Sequence, residues 1–212
     1  MRTKGLDYYG PCDRAIKAMD REIVEAFGRL KMSKWDEVNI IRTVVTVYRK
    51  SARKARKRYY EVAFEAYVLG CMMLDMKPSE AHKVAENAIT PEWVDGVLNR
   101  TDEVTQYRFN SETERKAYRL AETLEVSPDR NRAIDKAMKD WSRQLGQYAI
   151  KFTDEAVVQS FKDAGVERVV WITEEDERTC MSCSELNGRE YPIDEIPPKP
   201  HYGCRCLLKP VK

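Results

Sequence analysis

Four of the six cysteines and one of the two histidines fall in the 27 residues from Cys180 to Cys206. Cys180 and Cys183 form a Cys-x2-Cys pair, and the tight turn between them aims both sulfurs at one point. Cys204 and Cys206, with His201 just ahead, supply a second group of donors farther along. Two such groups can close a tetrahedron around one ion. Zinc is the natural candidate, since it takes thiolate and imidazole ligands and needs no redox change. Cys180, Cys183 and Cys204 are the leading ligands; the fourth is Cys206 or His201. Cysteines clustered in this way also form disulfides or pack as reduced thiols. Disulfides belong to exported chains, and Met1-Arg2-Thr3-Lys4-Gly5-Leu6-Asp7 lacks the apolar stretch of an export signal. A reducing compartment and a structural zinc are the expectation.

Catalytic alternatives are thin. The sequence holds no P-loop, no Gly-rich dinucleotide fingerprint, no His-Glu-x-x-His and no Gly-x-Ser-x-Gly. Glu174-Glu175-Asp176-Glu177 beside His201 suggests a metal-dependent nuclease. A catalytic zinc needs an open coordination position, whereas four or five soft donors in reach close the site. The expectation is a protein that is not an enzyme, with Asp176 and Thr179 shaping the turn of the first Cys pair.

A longer pattern surrounds these donors. It runs Trp171-x-Thr173-x-x-Asp176-Glu177-Arg178-Thr179-Cys180-x-x-Cys183, then Leu186-Asn187-Gly188, then a Pro-rich approach to His201-x-x-Cys204-Arg205-Cys206. This pattern resembles the C-terminal domain of the phage head-morphogenesis family, the Mu F-like minor head proteins of tailed bacteriophages. The similarity covers about residues 150–208; where the family carries an Arg-Thr-Glu start, this chain reads Lys151-Phe152-Thr153-Asp154-Glu155. The resemblance implies a minor capsid protein acting in procapsid and head morphogenesis, associated with the portal and assisting DNA packaging or delivery. Implied partners are the portal protein, capsid or scaffold proteins and the DNA genome. The implied location is the virion, in the head interior or at the portal vertex, after assembly in the host cytoplasm.

The elements that position the cluster are read from periodicity. Pro11-Cys12-Asp13 opens a helix to about Leu30, with Ile16, Met19, Ile23 and Phe27 on one face. Residues 1–10 read as an arm. Ser33, with Asp36 and Glu37 behind it, caps a long helix. Its stripe is Val38, Ile41, Val45, Tyr48, Ala52, Ala55, Tyr59, Val62, Ala66 and Leu69, spaced three and four as in a heptad seam. A helix of about 35 residues spans ~50 Å. Ala52 and Ala55 admit close approach of another helix. Cys12 and Cys71 read as packed residues, and His82 as an exposed one. Ser79 caps a short helix to Ala88, Pro91 starts another at its N1 position, and Ser111-x-x-Glu114 is a capping box for a third. Ser127-Pro128-Asp129 begins the second long helix. Its stripe is Ile134, Met138, Trp141, Leu145, Tyr148 and Phe152, with a break or kink at Thr153-Asp154-Glu155 and Gly165 as its left-handed stop. Val166–Thr173 reads as a strand, Asn187-Gly188 as a hairpin turn into a second strand over Arg189–Ile193, and Cys206-Leu207-Leu208 as a third.

Charge is uneven along the chain. Residues 1–70 hold 16 Lys and Arg against 9 Asp and Glu, net +7, and residues 71–212 hold 21 against 26, net −5. Arg49, Lys50, Arg53, Lys54, Arg56, Lys57 and Arg58 crowd ten residues of the first long helix, Arg42 lies ahead of them, and no acid falls between Val38 and Tyr60. Like charges so close cost helix stability, so an anion should face them: DNA, an acidic portal surface, or the chain's own acidic half.

The expected fold is mainly α, with long helices forming an elongated helical body and a small C-terminal α+β zinc-binding module. The expected division is a helical region over 1–126 with the basic helix, and a Mu F-like domain over 127–212. The two seams imply a helical pair or self-association. A zinc-ribbon-like nucleic-acid-binding protein is the competing reading, and a metal-dependent nuclease the third.

Overall fold

The computed structural model of the protein describes residues 7–32, 39–101, 106–173, 179–201 and 203–211. Within them the chain is mainly helical. The elements are α1 (Gly10–Met32), α2 (Ile40–Met73), α3 (Pro78–Ala88), α4 (Pro91–Asn99), α5 (Phe109–Val126), α6 (Arg130–Asp163), β1 (Arg168–Ile172), α7 (Met181–Leu186), β2 (Glu190–Pro192) and β3 (Leu207–Pro210). No helix among the described residues is long and apolar enough to cross a membrane.

The two long helices form where the seams predict them. From Val45 to Leu69 every stripe position of α2 is buried, but Ile41 is 44% exposed while Ile40 and Val44 are buried. A straight helix advances 3.6 residues per turn, so the buried face drifts from a strict heptad and enters through Ile40, Val44 and Tyr48. The Ser33 cap and Val38 lie outside the described residues. Asp129 starts α6, its Oδ1 accepting from the Arg132 amide at 2.9 Å, as an N-cap carboxylate does.

Three expected boundaries move. Ser79 lies inside α3, whose N-cap is Lys77 with Pro78 at N1, because proline sets the first helical φ without needing a donor. Ser111 is likewise inside α5, which begins after Arg108. The break at Thr153-Asp154-Glu155 does not occur: Thr153 is fully buried and its hydroxyl returns to the Ala149 carbonyl at 3.0 Å, so the helix runs on. It ends on Gly165 at φ +73°. There Val166 N–H reaches the Phe161 carbonyl at 2.9 Å and Gly165 N–H the Lys162 carbonyl at 3.0 Å, both bonds of a Schellman cap.

The chain gathers into two units, each built from separated stretches: residues 14–59 with 91–146, and residues 1–13 with 60–90 and 147–212. The first is organised by an aromatic chain. Phe27 meets Tyr48 at 5.2 Å, Tyr48 meets Trp141 at 5.1 Å, Trp141 meets Phe109 at 6.1 Å and Phe109 meets Tyr59 at 6.0 Å between ring centroids. The polar edges of Trp141 and Tyr59 are satisfied as burial demands. Trp141 Nε1 donates to Ser51 Oγ at 2.8 Å, and Tyr59 donates to the Leu145 carbonyl at 3.0 Å.

The second unit holds the donor cluster. Its sheet has the order β2-β1-β3, both pairings antiparallel, with Val169 opposite Tyr191 and Trp171 opposite Leu208. Val169 and Trp171 point to the buried face, two residues apart as strand geometry requires. Asn187-Gly188 is not a two-residue hairpin: α7 stands between β1 and β2, and Gly188 at φ +74° follows its last turn. Tyr8 and Tyr9 are buried, so that part of the expected arm is core.

Within this unit α2 and α6 come into close contact at Gly70, where an added Cβ would overlap Ser160 Oγ and lie 3.3 Å from Val157 Cα. Helix propensity alone predicts that Gly70→Ala gains about 1 kcal/mol. Overpacking costs about 1–3 kcal/mol, and Ser160 is committed to the Val157 carbonyl at 2.7 Å. Urea denaturation of Gly70→Ala is expected to show a net loss of stability rather than a gain.

Candidate metal centre and the basic face of α2

Two short segments bring the donors together. Cys180 is the N-cap of α7, its Sγ accepting from Cys183 N–H at 3.4 Å. The opposite end of α7 is tied to β1: Gly188 N–H donates to the Trp171 carbonyl at 2.8 Å, and Thr173 N–H to Asn187 Oδ1 at 2.9 Å. The second segment turns at Gly203, φ +73°, whose N–H is held by Gln147 Oε1 of α6 at 2.8 Å.

The result is two overlapping triads, Cys180-Cys183-His201 and Cys183-Cys204-Cys206, the ligand atoms of each lying within 4.8 Å of one another. Cys183 belongs to both. Its Sγ is 3.2 Å from His201 Nε2 and 3.7 Å from Cys204 Sγ. All six cysteines are free, and 3.7 Å is far beyond the ~2.05 Å of a disulfide. It is close to the ~3.8 Å edge of a tetrahedron with 2.3 Å metal–sulfur bonds. The cluster of Cys180, Cys183, His201, Cys204 and Cys206 can therefore hold a metal ion. Both candidates for the fourth donor are in reach, Cys206 in one triad and His201 in the other.

Protonation follows position. Burial first, then the thiols of Cys180, Cys206 and Cys204, push the Cys183 thiol well up; burial also raises Cys204. The amide of Cys183 lowers Cys180. Burial thus opposes charge on Cys183 and Cys204, and a divalent cation at the cluster would relieve that cost. Cys12 and Cys71 are buried and belong to neither triad; burial raises Cys12 to about 11. Glu174–Arg178, including Asp176, lie outside the described residues.

Beside the thiols lies a polar clamp that sequence reasoning did not find. Lys199 Nζ donates to the Cys206 carbonyl and to Tyr9 Oη at 3.2 Å, and forms an ion pair with Asp154 Oδ2 at 3.4 Å. The Tyr9 hydroxyl lies 2.9 Å from both Asp154 Oδ1 and the Cys206 carbonyl. The Lys199 ammonium also sits 5.0 Å from the centre of the Trp171 ring, a cation–π distance. Burial raises the Asp154 carboxyl, and Lys199 and Tyr9 work against that rise. Arg205 extends the clamp, donating to Asp13 at 2.7 Å and stacking 4.8 Å from the Tyr9 ring. A Pro-Pro-Lys-Pro run reads as a stiff delivery arm for His201; nothing local reveals that its lysine is half-buried against Asp154.

The seven clustered cations are divided by their surroundings. Arg49 pairs with Glu114 at 2.6 Å and Arg56 pairs with Asp95. Arg58 pairs with Glu22 at 3.2 Å, and Lys54 reaches the same carboxylate at 4.0 Å. Lys50, Arg53 and Lys57 are exposed; among the described residues no carboxylate pairs with them. Arg49, Arg53 and Arg56 also line a cavity of about 330 Å³ with Phe109, Asn110 and Glu114.

No family profile, curated protein or solved structure matches this chain.

The clamp predicts strong coupling. Lys199 and Asp154 side chains are only 16% and 13% exposed, and removing one partner of a buried pair costs about 3–5 kcal/mol. Lys199→Met is expected to lose stability on that scale in urea titration. The double variant Lys199→Met/Asp154→Asn is expected to recover much of it, because no uncompensated charge then remains buried.

Proposed function

We propose that this chain is a structural protein, a minor head protein of a tailed phage, whose terminal module is closed by one Zn²⁺. The observation that carries the metal part is the position of Cys183 in both donor triads. One ion there draws α7 and the segment leading into β3 to a common point. Cys180, Cys183 and Cys204 hold it, with Cys206 or His201 completing the set. A bound zinc supplies a strong four-coordinate crosslink and, with every position filled by protein, no open site for a reacting water.

The virion role rests on the resemblance of residues 150–208 to the Mu F-like minor head proteins. Sorting of the basic helix supports an assembly protein over a catalyst: Arg49, Lys54, Arg56 and Arg58 engage acids of neighbouring helices, Lys50, Arg53 and Lys57 face outward, and among the described residues none pairs with a thiol or imidazole. The partners are the portal and the scaffold or capsid shell.

Elemental analysis of protein purified without added metal tests the first part. About one zinc per chain is expected, falling to none in Cys183→Ser, with a chelator lowering the melting temperature of the native protein only. A metal-free native protein of unchanged stability overturns the zinc reading. Co-expression with a portal oligomer tests the second part: co-purification is expected, and metal-dependent DNA cleavage abolished by His201→Ala would replace the structural reading with a nuclease.

A further inference from the structure

We propose that one face of α2 is a contact strip for the phosphodiester backbone of duplex DNA, formed by Arg42, Lys50, Arg53 and Lys57. This goes beyond the metal-closed module and stands without it, since all four residues lie in the unit that contains none of the thiol donors.

The argument is a sorting of charge. At 100° per residue these four positions fall within a sector of about 80° on the helix. All four are exposed, and no carboxylate among the described residues pairs with any of them. The cations on either flank are the ones neutralised internally: Arg49 and Arg56 by Glu114 and Asp95 on one side, Lys54 and Arg58 by Glu22 on the other. The fold thus leaves a central unpaired row opposite the buried face that carries Val44, Tyr48, Ala55 and Tyr59.

The geometry of the row favours an extended polyanion. From Arg42 to Lys57 the strip rises about 22 Å, longer than a single phosphate can bridge. The only other side chain in that sector over this length is Thr46, an exposed hydroxyl donating to the Arg42 carbonyl at 2.7 Å. Stable protein interfaces seat apolar or aromatic anchors at their centre, and this sector has none. A phosphate backbone asks only for spaced cations. An acidic protein surface is accordingly the less favoured occupant.

The test uses the full-length chain and a fluorescent duplex of random sequence, with affinity measured by anisotropy across a salt series. The four-site variant Arg42→Gln, Lys50→Gln, Arg53→Gln, Lys57→Gln is compared with a charge-matched control, Lys17→Gln, Arg132→Gln, Lys136→Gln, Lys139→Gln. Each phosphate-contacting cation contributes roughly one unit to the slope of log K against log salt. The strip variant should therefore flatten the slope by about 4, and the control should leave it nearly unchanged. Circular dichroism and thermal melting confirm that both variants are folded; the single variants Arg53→Gln and Lys57→Gln, each expected to remove about one unit, carry the test if the four-site variant is not. No salt-dependent binding by the native chain, equal losses in strip and control variants, or displacement of the duplex by polyglutamate at equal charge concentration would each overturn the proposal.

Discussion

Strands of five, three and four residues leave the terminal sheet with too little apolar surface to persist by itself. Val169, Trp171 and Leu208 are its buried apolar side chains, and sheets this small depend on crosslinks. Two groups of side chains are placed to brace it. One is the thiol and imidazole cluster centred on Cys183. The other is the clamp of Lys199, Tyr9 and Asp154 on the Cys206 carbonyl, which ties the segment entering β3 to α6 and to the chain's opening residues. The second works with ordinary hydrogen bonds and a buried ion pair, so it orders the Cys206 end of the donor set whether or not an ion is held.

The long helices solve a different problem. Their apolar seams are filled inside the chain by aromatic rings and by the close approach at Gly70, so the heptad pattern is accounted for within the units. The charged faces are then free to be divided. Acids contributed by α1, α4 and α5 neutralise the flanks of α2, and the centre of its outer face keeps its charge.

Much of this was legible in the sequence because it rests on local periodicity. The seams of α2 and α6, proline at the start of α4, Gly165 at the end of α6 and the donor spacing were all visible, since each depends on residues a turn or two apart. The misses share a physical cause. Thr153 reads as a helix break because threonine caps helices, but in its buried place the hydroxyl returns to the Ala149 carbonyl one turn back. Asn187-Gly188 has the composition of a hairpin turn, yet the Cys pair ahead of it needed a helical turn to orient its sulfurs. Lys199 and Asp154 stand 45 positions apart, and a pair that distant leaves no local trace. Sorting the basic run was equally hidden, for Glu22, Asp95 and Glu114 come from three different helices.

The ligand-bearing segments also constrain the chain before it folds. An ion joining Cys183 to Cys204 would close a loop of 20 intervening residues, four of them proline: Pro192, Pro197, Pro198 and Pro200. Loop closure is costly because it removes configurations from a disordered ensemble. Prolines have already removed many of those by fixing φ. The tether is thus partly straightened in advance, and capture of the second pair of sulfurs by the first gives up less entropy than the same span of flexible chain would.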